Sequence, residues 1–330
     1  MNFLAVNYHY VGDEEEYTQG IYPVSRERLA AQIDLLGETY HFVSGQEVKD
    51  ALGGVRTLPE YSCLLTFDDG LRCHREALSV LDQKGVPGMF FVATLPYSEG
   101  EVLLVHKIHW LLANLEPSVF KEEVIASLAQ QHVAVDIPSL TAFSSVKYRY
   151  DLPETAVLKY LLNAYLPHPV RASIVDSIFT RYVEDSASFV RQWYLSADDL
   201  AVFGARGYVG MHSHDHMPLV GEDAAVEEGL RINKEILERL SAQKMYAVSY
   251  PYGAKVDIKA SVPALVAKLG LSFGLTMERA FNTTLTEPFL FARADTNDAP
   301  GGKKPVLKVS AGIPEIIGTF APKRTLFCTE

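Results

Sequence analysis

Short apolar runs and helically spaced apolar positions alternate along the first part of the chain. Residues 3–8, 62–67 and 88–94 are apolar runs with the length and composition of buried strands. Between these runs, apolar positions at helical spacing predict helices over 25–38 and 74–84. Strands that alternate with helices in this way predict a parallel sheet and an α/β fold.

The same alternation returns in the last third of the chain. Further strands are predicted over 208–211, 247–250 and 272–276, and helices over 222–241 and 261–269 separate them. The parallel sheet is therefore expected to draw its strands from both ends of the sequence.

Residues 97–195 interrupt this alternation with a mostly helical pattern. The predicted helices are 105–115, 119–131, 153–166 and 169–182. A structureless loop of this length would be unusual in a compact protein. The predicted organisation is an α/β domain formed by 1–96 and 196–330, with a helical insertion over 97–195 that acts as a cap.

Composition narrows the class of protein. The 330 residues are 48% apolar and 22% charged, as in ordinary soluble globular proteins. A net charge of −11 disfavours non-specific binding to nucleic acid, which depends on Lys and Arg contacts to phosphate. The three cysteines, Cys63, Cys73 and Cys328, form no CxxC motif and indicate neither a disulfide framework nor a cysteine zinc site.

The start of the sequence lacks the basic segment and the apolar run of a signal peptide. No segment reaches the roughly 18–20 apolar residues of a membrane span. A cytoplasmic protein without a membrane span is therefore expected, and its substrate should be available in that compartment.

Two adjacent acids, Asp68 and Asp69, follow the predicted strand 62–67 and precede Gly70. Active sites of parallel α/β folds gather at such strand ends. One carboxylate could bind a metal while the other acts as a base. The alternative is a turn or helix N-cap, which Asp-Asp-Gly also suits.

Three histidines lie within five residues after another predicted strand, in His212-Ser213-His214-Asp215-His216. One helical turn would place the imidazoles of His212 and His216 on the same side. Two histidines and one aspartate form a common metal-ligand set that leaves positions open for water and substrate. His214 would point elsewhere, as a supporting or rim residue.

A third segment, Ser249-Tyr250-Pro251-Tyr252-Gly253, also follows a predicted strand. Pro and Gly favour a turn there, and an aromatic ring can line a sugar site. On its own this segment is a weak signal.

These three segments, in this order, resemble the motifs of the polysaccharide deacetylase family, also called the NodB-homology or carbohydrate esterase family 4 group. The resemblance covers about 1–95 and 196–298 and leaves out the insertion. It implies a distorted (β/α) barrel and a metal-dependent hydrolase that removes an N-acetyl group from an amino sugar.

The resemblance also implies roles for individual residues. Asp69, His212 and His216 would hold a divalent metal, usually Zn²⁺ in the family. Asp68 would be the general base toward a metal-bound water, and the backbone N–H of Tyr252 would stabilise the oxyanion.

Two departures from the family pattern alter this assignment. The third motif often begins with an arginine that orients the base, and here Ser249 or Tyr250 takes that place. Arg293, in a later charged segment, is predicted to pair with Asp68 instead; the alternative is an arginine on the surface. The usual C-terminal Leu-x-His is missing, and His9, at the end of the first strand, is predicted to be the general acid in its place.

The insertion contains His106 and His109 at a spacing that could suggest a second metal, or a packed lid with Trp110 inside it or at a sugar subsite. A cap would favour a small or terminal N-acylated sugar, including a nucleotide- or lipid-linked intermediate of surface-polysaccharide biosynthesis. Two alternatives stay open, namely hydrolysis of another C–N bond (N-formyl or cyclic amide) and a sugar-binding pseudoenzyme. The sequence does not predict an oligomeric state.

Overall fold

The structure is a computed structural model. It describes five stretches of the chain: 2–16, 20–148, 151–310, 313–316 and 321–322. The chain divides into two compact units. The first unit comprises 1–12, 24–98 and 193–330, and the second comprises 13–23 and 99–192.

Twelve strands are present in the described stretches: β1 (Asn2–Tyr8), β2 (His41–Phe42), β3 (Tyr61–Phe67), β4 (Met89–Val92), β5 (Val209–Met211), β6 (Ala247–Ser249), β7 (Phe273–Leu275), β8 (Ala280–Phe281), β9 (Ala294–Asp295), β10 (Leu307–Ser310), β11 (Ile313–Ile316) and β12 (Ala321–Pro322). The main sheet has the order β7-β6-β5-β4-β3-β1-β9, with β2 pairing to β3. All its pairings are parallel, and the strands form a curled half-barrel.

Thirteen α-helices are described: α1 (Arg26–Gly37), α2 (Gly45–Leu52), α3 (His74–Lys84), α4 (Leu95–Ser98), α5 (Leu104–Asn114), α6 (Pro117–Gln130), α7 (Thr141–Lys147), α8 (Pro153–Tyr160), α9 (His168–Tyr182), α10 (Ser186–Trp193), α11 (Ala197–Ala205), α12 (Asp223–Ser241) and α13 (Val262–Lys268). Short 3₁₀ turns cover 137–140, 255–257 and 288–290, and a π-helical turn covers 161–165.

Serine N-caps explain where several of these helices begin. The Ser25 hydroxyl accepts a hydrogen bond from the Arg28 N–H at the start of α1. Ser44 and Ser196 begin α2 and α11 with full capping boxes, in which an acid three residues later bonds back to the serine N–H.

The sheet of the first unit is buried on both faces. Alternate residues of β1 and β3 belong to two separate apolar clusters, with Val6 and Leu65 in one and Ala5 and Leu64 in the other. Strands with both faces buried are typical of parallel sheets covered by helices. The predicted α/β class is confirmed.

The second unit is helical and has its own apolar core. Its buried residues include Ile108, Phe120 and Phe179, and the Trp110 ring lies edge-on to Phe179 with centroids 5.6 Å apart. Residues 13–23 belong to this unit as well. The sequence predicted an insertion over 97–195 and gave no signal for this earlier segment, because it is short and polar.

Several elements were not predicted from the sequence. Helices α7 and α10 lie in stretches to which no element was assigned, and the short strands β8 to β12 lack a clear apolar pattern. Among the described residues, no helix combines the length and the apolarity needed to cross a bilayer.

Candidate active site

The strand register brings the predicted site residues to one edge of the sheet. In the parallel β1–β3 pair, Tyr8 lies opposite Phe67, so His9 and Asp68 both follow at the same end. His212 follows β5, and Ser249 ends β6, at the carboxyl ends of neighbouring strands. This edge is where parallel α/β proteins bind ligands.

Three of these side chains converge on one point. Asp69 Oδ1 lies 3.2 Å from His212 Nε2 and 3.2 Å from His216 Nε2. The three ligand atoms lie within 4.8 Å of one another, and all three side chains are buried. In the described part of the chain, this is the one such group of three or more His, Cys, Asp or Glu side chains.

The spacing of these atoms fits a divalent cation. Ligand atoms about 2.0–2.2 Å from an ion, at angles between about 90° and 110°, are about 2.8–3.6 Å apart. The observed 3.2 Å between the aspartate oxygen and each imidazole nitrogen falls within that range. Two imidazoles and one carboxylate are also donors that zinc-type metals accept.

Contacts of His212 orient it for ligation. Its Nδ1 donates to the Ser249 carbonyl oxygen at 2.8 Å, which leaves the Nε2 lone pair directed toward Asp69. Burial alone would lower the pKa of His212, but the carboxylates of Asp68 and Asp69 outweigh burial and raise it. The same carboxylates therefore favour positive charge at this point.

The side chains of His212 and His216 meet through a loop and not through a helical turn. The prediction of a helical turn over 212–216 is wrong, since this segment has no helical structure. Ser213 and His216 both have φ 58°, and the Ser213 hydroxyl accepts from the His216 N–H at 3.0 Å. The resulting tight turn brings the two rings to a centroid distance of 4.8 Å.

The end of β4 holds this loop in place. The His214 carbonyl oxygen accepts hydrogen bonds from the N–H groups of Thr94 and Leu95, at 3.0 and 2.8 Å. The Thr94 hydroxyl lies 3.0 Å from His214 Nδ1 and accepts from Asn233. His214 therefore lies outside the Asp69–His212–His216 group and supports the loop.

Asp68 is paired with Arg293 by two parallel hydrogen bonds. Arg293 Nη1 donates to Asp68 Oδ1 at 2.9 Å, and Nη2 donates to Oδ2 at 2.7 Å. Burial alone would raise the pKa of Asp68, but Arg293 and then His212 outweigh it and lower this pKa to about 2. The Asp68 carboxyl is therefore ionised at neutral pH.

Every N–H of Arg293 has an acceptor, although its side chain is fully buried. Besides Asp68, the guanidinium donates to the Asn7 side-chain oxygen, the Thr66 hydroxyl, the Thr276 carbonyl and the Ser249 hydroxyl. The alternative of an arginine on the surface is wrong, because the exposed fraction of Arg293 is 0%.

Ser249, and not Tyr250, occupies the position beside Asp68. The Ser249 hydroxyl donates to Asp68 Oδ2 at 3.0 Å. The Tyr250 side chain is directed elsewhere, and its hydroxyl donates to the Phe289 carbonyl at 2.8 Å.

Tyr252 lies beside His216 in a strained turn. It has φ 59°, and its ring is 5.2 Å from the His216 ring, centroid to centroid. In the described part of the chain, six residues other than glycine have positive φ, and four belong to this site: Asp69, Ser213, His216 and Tyr252. Such strain concentrates at functional sites, where the surrounding structure must maintain it.

His9 lies at the same edge, half-buried, with its Nδ1 3.5 Å from the Asn7 side-chain nitrogen. Its charge is one of the influences that lower the pKa of Asp68. Its carbonyl oxygen accepts from His74 Nε2 at 2.9 Å. Burial lowers the pKa of His74 to about 4, so His74 is a neutral donor that fixes the main chain at His9.

Sequence reasoning missed three residues that support the site: Asn7, His74 and Thr276. Asn7 was detectable as a polar residue inside an apolar strand, since buried amides need partners. His74 is the first residue of α3, where polar residues are common, so the sequence gives no sign of its supporting role. Thr276 acts through its carbonyl, which no side-chain pattern can indicate.

Within the described residues of the second unit, the histidines belong to no such group. His106 is buried, and its ring centroid lies 6.1 Å from that of His109. Neither belongs to the group of three or more metal-type side chains found in the described residues. Trp110 is half-buried and packs against the apolar core of its unit, with its ring edge-on to Phe179.

The fold is similar to solved structures that include deacetylases. A de-N-acetylase from Aggregatibacter actinomycetemcomitans has a TM-score of 0.55 and 14% identity, covering 89% of this chain and 95% of that one. IcaB from Ammonifex degensii has a TM-score of 0.53 and 18% identity, covering 89% of this chain and 91% of that one. BC0361, a polysaccharide deacetylase from Bacillus cereus, has a TM-score of 0.52 and 13% identity, covering 89% of this chain and 65% of that one.

No protein-family profile and no curated protein matches the sequence. At these identities the likeness defines the fold. The chain has the polysaccharide deacetylase fold, a distorted (β/α) barrel of the NodB-homology type, and the expectation drawn from the sequence motifs is confirmed at that level.

Proposed function

We propose that the protein is a metal-dependent hydrolase that removes the N-acetyl group from an amino sugar. The observation that carries this proposal is the position of the Asp69–His212–His216 group beside the ionised Asp68–Arg293 pair at the carboxyl edge of the sheet. The deacetylase fold supports it.

Asp69, His212 and His216 would hold the divalent cation, which we propose to be Zn²⁺. When bound, such a cation supplies Lewis acidity, which polarises an amide carbonyl and makes a water molecule more acidic. Asp68 accepts the proton of the attacking water. Its low pKa makes Asp68 a weak base, which would suit a water whose acidity the cation has raised.

The remaining steps fall to residues at the rim of the site. The backbone N–H of Tyr252 stabilises the oxygen on which negative charge develops. His9 donates a proton to the sugar nitrogen as the C–N bond breaks, so that the amine leaves with acetate as the other product. Asn7 and His74 hold His9 in place through its ring and its carbonyl.

An assay with N-acetylglucosamine oligomers tests this proposal. The purified protein loaded with Zn²⁺ is expected to release acetate and free amine in equal amounts, and a chelator is expected to stop release until Zn²⁺ is restored. Asp69→Asn should lose metal and activity together, while Asp215→Asn, an exposed acid in the histidine loop, should retain both. Metal-loaded protein that releases no acetate would contradict the proposal.

The two acid–base assignments have separate tests. Asp68→Asn is expected to keep the metal and lose kcat by about 10²–10⁴-fold, the usual contribution of a general base. His9→Ala is expected to lose kcat in the same range, with His41→Ala, an exposed strand histidine, as its matched control. A His9→Ala variant with full turnover would exclude His9 as the acid.

The proposal extends to the class of substrate. The predicted cap and the predicted cytoplasmic location together motivate a small or terminal sugar that is nucleotide- or lipid-linked. A panel of N-acetyl, N-formyl and cyclic-amide compounds would separate the proposed reaction from hydrolysis of another C–N bond. Sugar binding with metal but no release of any acyl group would identify a pseudoenzyme.

A further inference from the structure

Ser249 contacts both halves of the candidate active site. Its hydroxyl donates to Asp68 Oδ2 at 3.0 Å and accepts from Arg293 Nη2 at 2.8 Å. Its carbonyl oxygen accepts from His212 Nδ1 at 2.8 Å. One residue thus contacts the base, the guanidinium that neutralises the base, and a metal-type ligand.

The hydrogen-bonding capacity of the Ser249 hydroxyl is committed to this pair. A hydroxyl has one hydrogen to donate, and this hydrogen is directed at Asp68. The side chain is fully buried, so bulk water does not replace either contact when the hydroxyl is removed. Loss of the hydroxyl would leave one Arg293 N–H without an acceptor and Asp68 Oδ2 with one donor fewer.

We infer that Ser249 is a positioning residue that aligns the Asp68 carboxylate with the metal-ligand set, its hydroxyl acting on the base and its carbonyl on His212. This inference deepens the proposed function and rests on it for its kinetic readout. The two contacts involve different parts of the residue, so a side-chain substitution removes the first and keeps the second.

Turnover and metal affinity should therefore separate in Ser249 variants. Ser249→Ala is expected to lower kcat about 10- to 100-fold, the usual effect of removing a supporting hydrogen bond at a metal site. KM and Zn²⁺ affinity, measured by competition with a chromophoric chelator, are expected to stay within about twofold, because the carbonyl contact to His212 remains. Ser249→Cys keeps a weak hydrogen-bond donor, so its kcat should lie between that of wild type and that of Ser249→Ala.

Ser62→Ala is the matched control. Ser62 is a buried serine near the other end of β3, and its hydroxyl donates to the Pro59 carbonyl at 2.7 Å. Its loss is expected to leave kcat unchanged. The inference is overturned if Ser249→Ala keeps kcat within twofold, if Zn²⁺ affinity falls together with kcat, or if Ser62→Ala loses as much turnover.

A readout without turnover distinguishes failure of this inference from failure of the proposed function. If wild-type protein binds Zn²⁺ but releases no acetate, the proposed function fails alone. Urea unfolding of Ser249→Ala, Asp68→Asn and the double variant then tests whether the Ser249 hydroxyl and the Asp68 carboxylate interact. A midpoint loss in the double variant smaller than the sum of the single losses supports the inference, and an additive loss overturns it.

Discussion

Among single residues, Arg293 has the most demanding environment, because it carries a charge with no exposure to solvent. A buried ion pair often contributes little compared with apolar residues, yet removing one partner is costly because the other charge stays buried. Asp68 would be that remaining charge. Lysine cannot replace Arg293, since an ammonium lacks the planar fork that bonds both Asp68 oxygens.

Arg293→Met is expected to destabilise the protein by about 3–5 kcal/mol at pH 7. In wild type, the lowered pKa of Asp68 contributes stability above its unfolded pKa, near 4, and this is lost as pH falls toward about 2. In the variant, Arg293 no longer opposes the effect of burial, so the pKa of Asp68 is expected to be higher than in wild type and the carboxyl to be neutralised more readily on acidification. The difference between variant and wild type should therefore shrink from pH 7 to pH 5.

Urea unfolding at the two pH values measures this difference. Arg206→Met, which removes a half-exposed ion pair with Asp82, is the control and should change stability by less than about 1 kcal/mol at either pH. A deficit of Arg293→Met that grows on acidification would show that Asp68 does not dominate the effect.

The residues of the site differ in how far the sequence could predict them. Asp68, Asp69 and His212 follow apolar runs, so their convergence on one sheet edge follows from strand pattern alone. Arg293 could be proposed only from resemblance to a family motif, because the strand after it, 294–295, is too short to show a pattern. The role of the Ser249 hydroxyl depends on its distance to two other chain segments, which spacing along the sequence does not reveal.

At the scale of elements, the loops after β5 and β6 set the geometry of the ligand and aromatic side chains. The spacing of His212 and His216 suits a helical turn, but left-handed residues produce the same convergence within a loop. Sequence periodicity cannot distinguish a helical turn from such a loop. Glycine is the residue that usually indicates positive φ in a sequence, and here the residues are Ser213 and His216.

Gly253→Ala tests whether the loop after β6 tolerates a side chain at this position. Gly253 has φ 67°, and an added Cβ would lie 2.7 Å from the Met277 backbone nitrogen. Gly207 has φ 73° with nothing within 4 Å of its Cβ position, so Gly207→Ala carries the backbone strain alone, about 1–2 kcal/mol. Gly253→Ala is expected to lose more stability than Gly207→Ala in thermal unfolding and also to lower kcat, because the backbone contact displaces neighbouring Tyr252. Equal losses would show that the loop can yield.

At the scale of the whole molecule, the chain forms two units with separate apolar cores. The length of the helical stretch predicted an insertion, as a structureless segment of about 100 residues would be improbable. Membership of 13–23 in the helical unit could not be predicted. It rests on contacts such as the Lys159 ammonium over the Tyr22 ring, 5.4 Å from its centroid.

The two tryptophans report on the units separately, since Trp193 belongs to the first and Trp110 to the second. Zn²⁺ should bind only the folded first unit, so it should stabilise that unit by mass action. In thermal unfolding, Zn²⁺ is expected to raise the midpoint of Trp110→Phe, which reports through Trp193, more than that of Trp193→Phe. Equal shifts would mean that the units unfold as one, and no shift would argue against the metal site.

The pairing of β9 with β1 has a consequence for biosynthesis. A nascent polypeptide contains Asp68 and all three candidate ligands by the time residue 216 has been added, yet Arg293 emerges much later. Until then the Asp68 carboxylate has no guanidinium to neutralise it, and burying it would be unfavourable. The ribosome-bound chain should therefore keep this sheet edge open and hydrated, and close it only when the segment containing Arg293 docks beside β1.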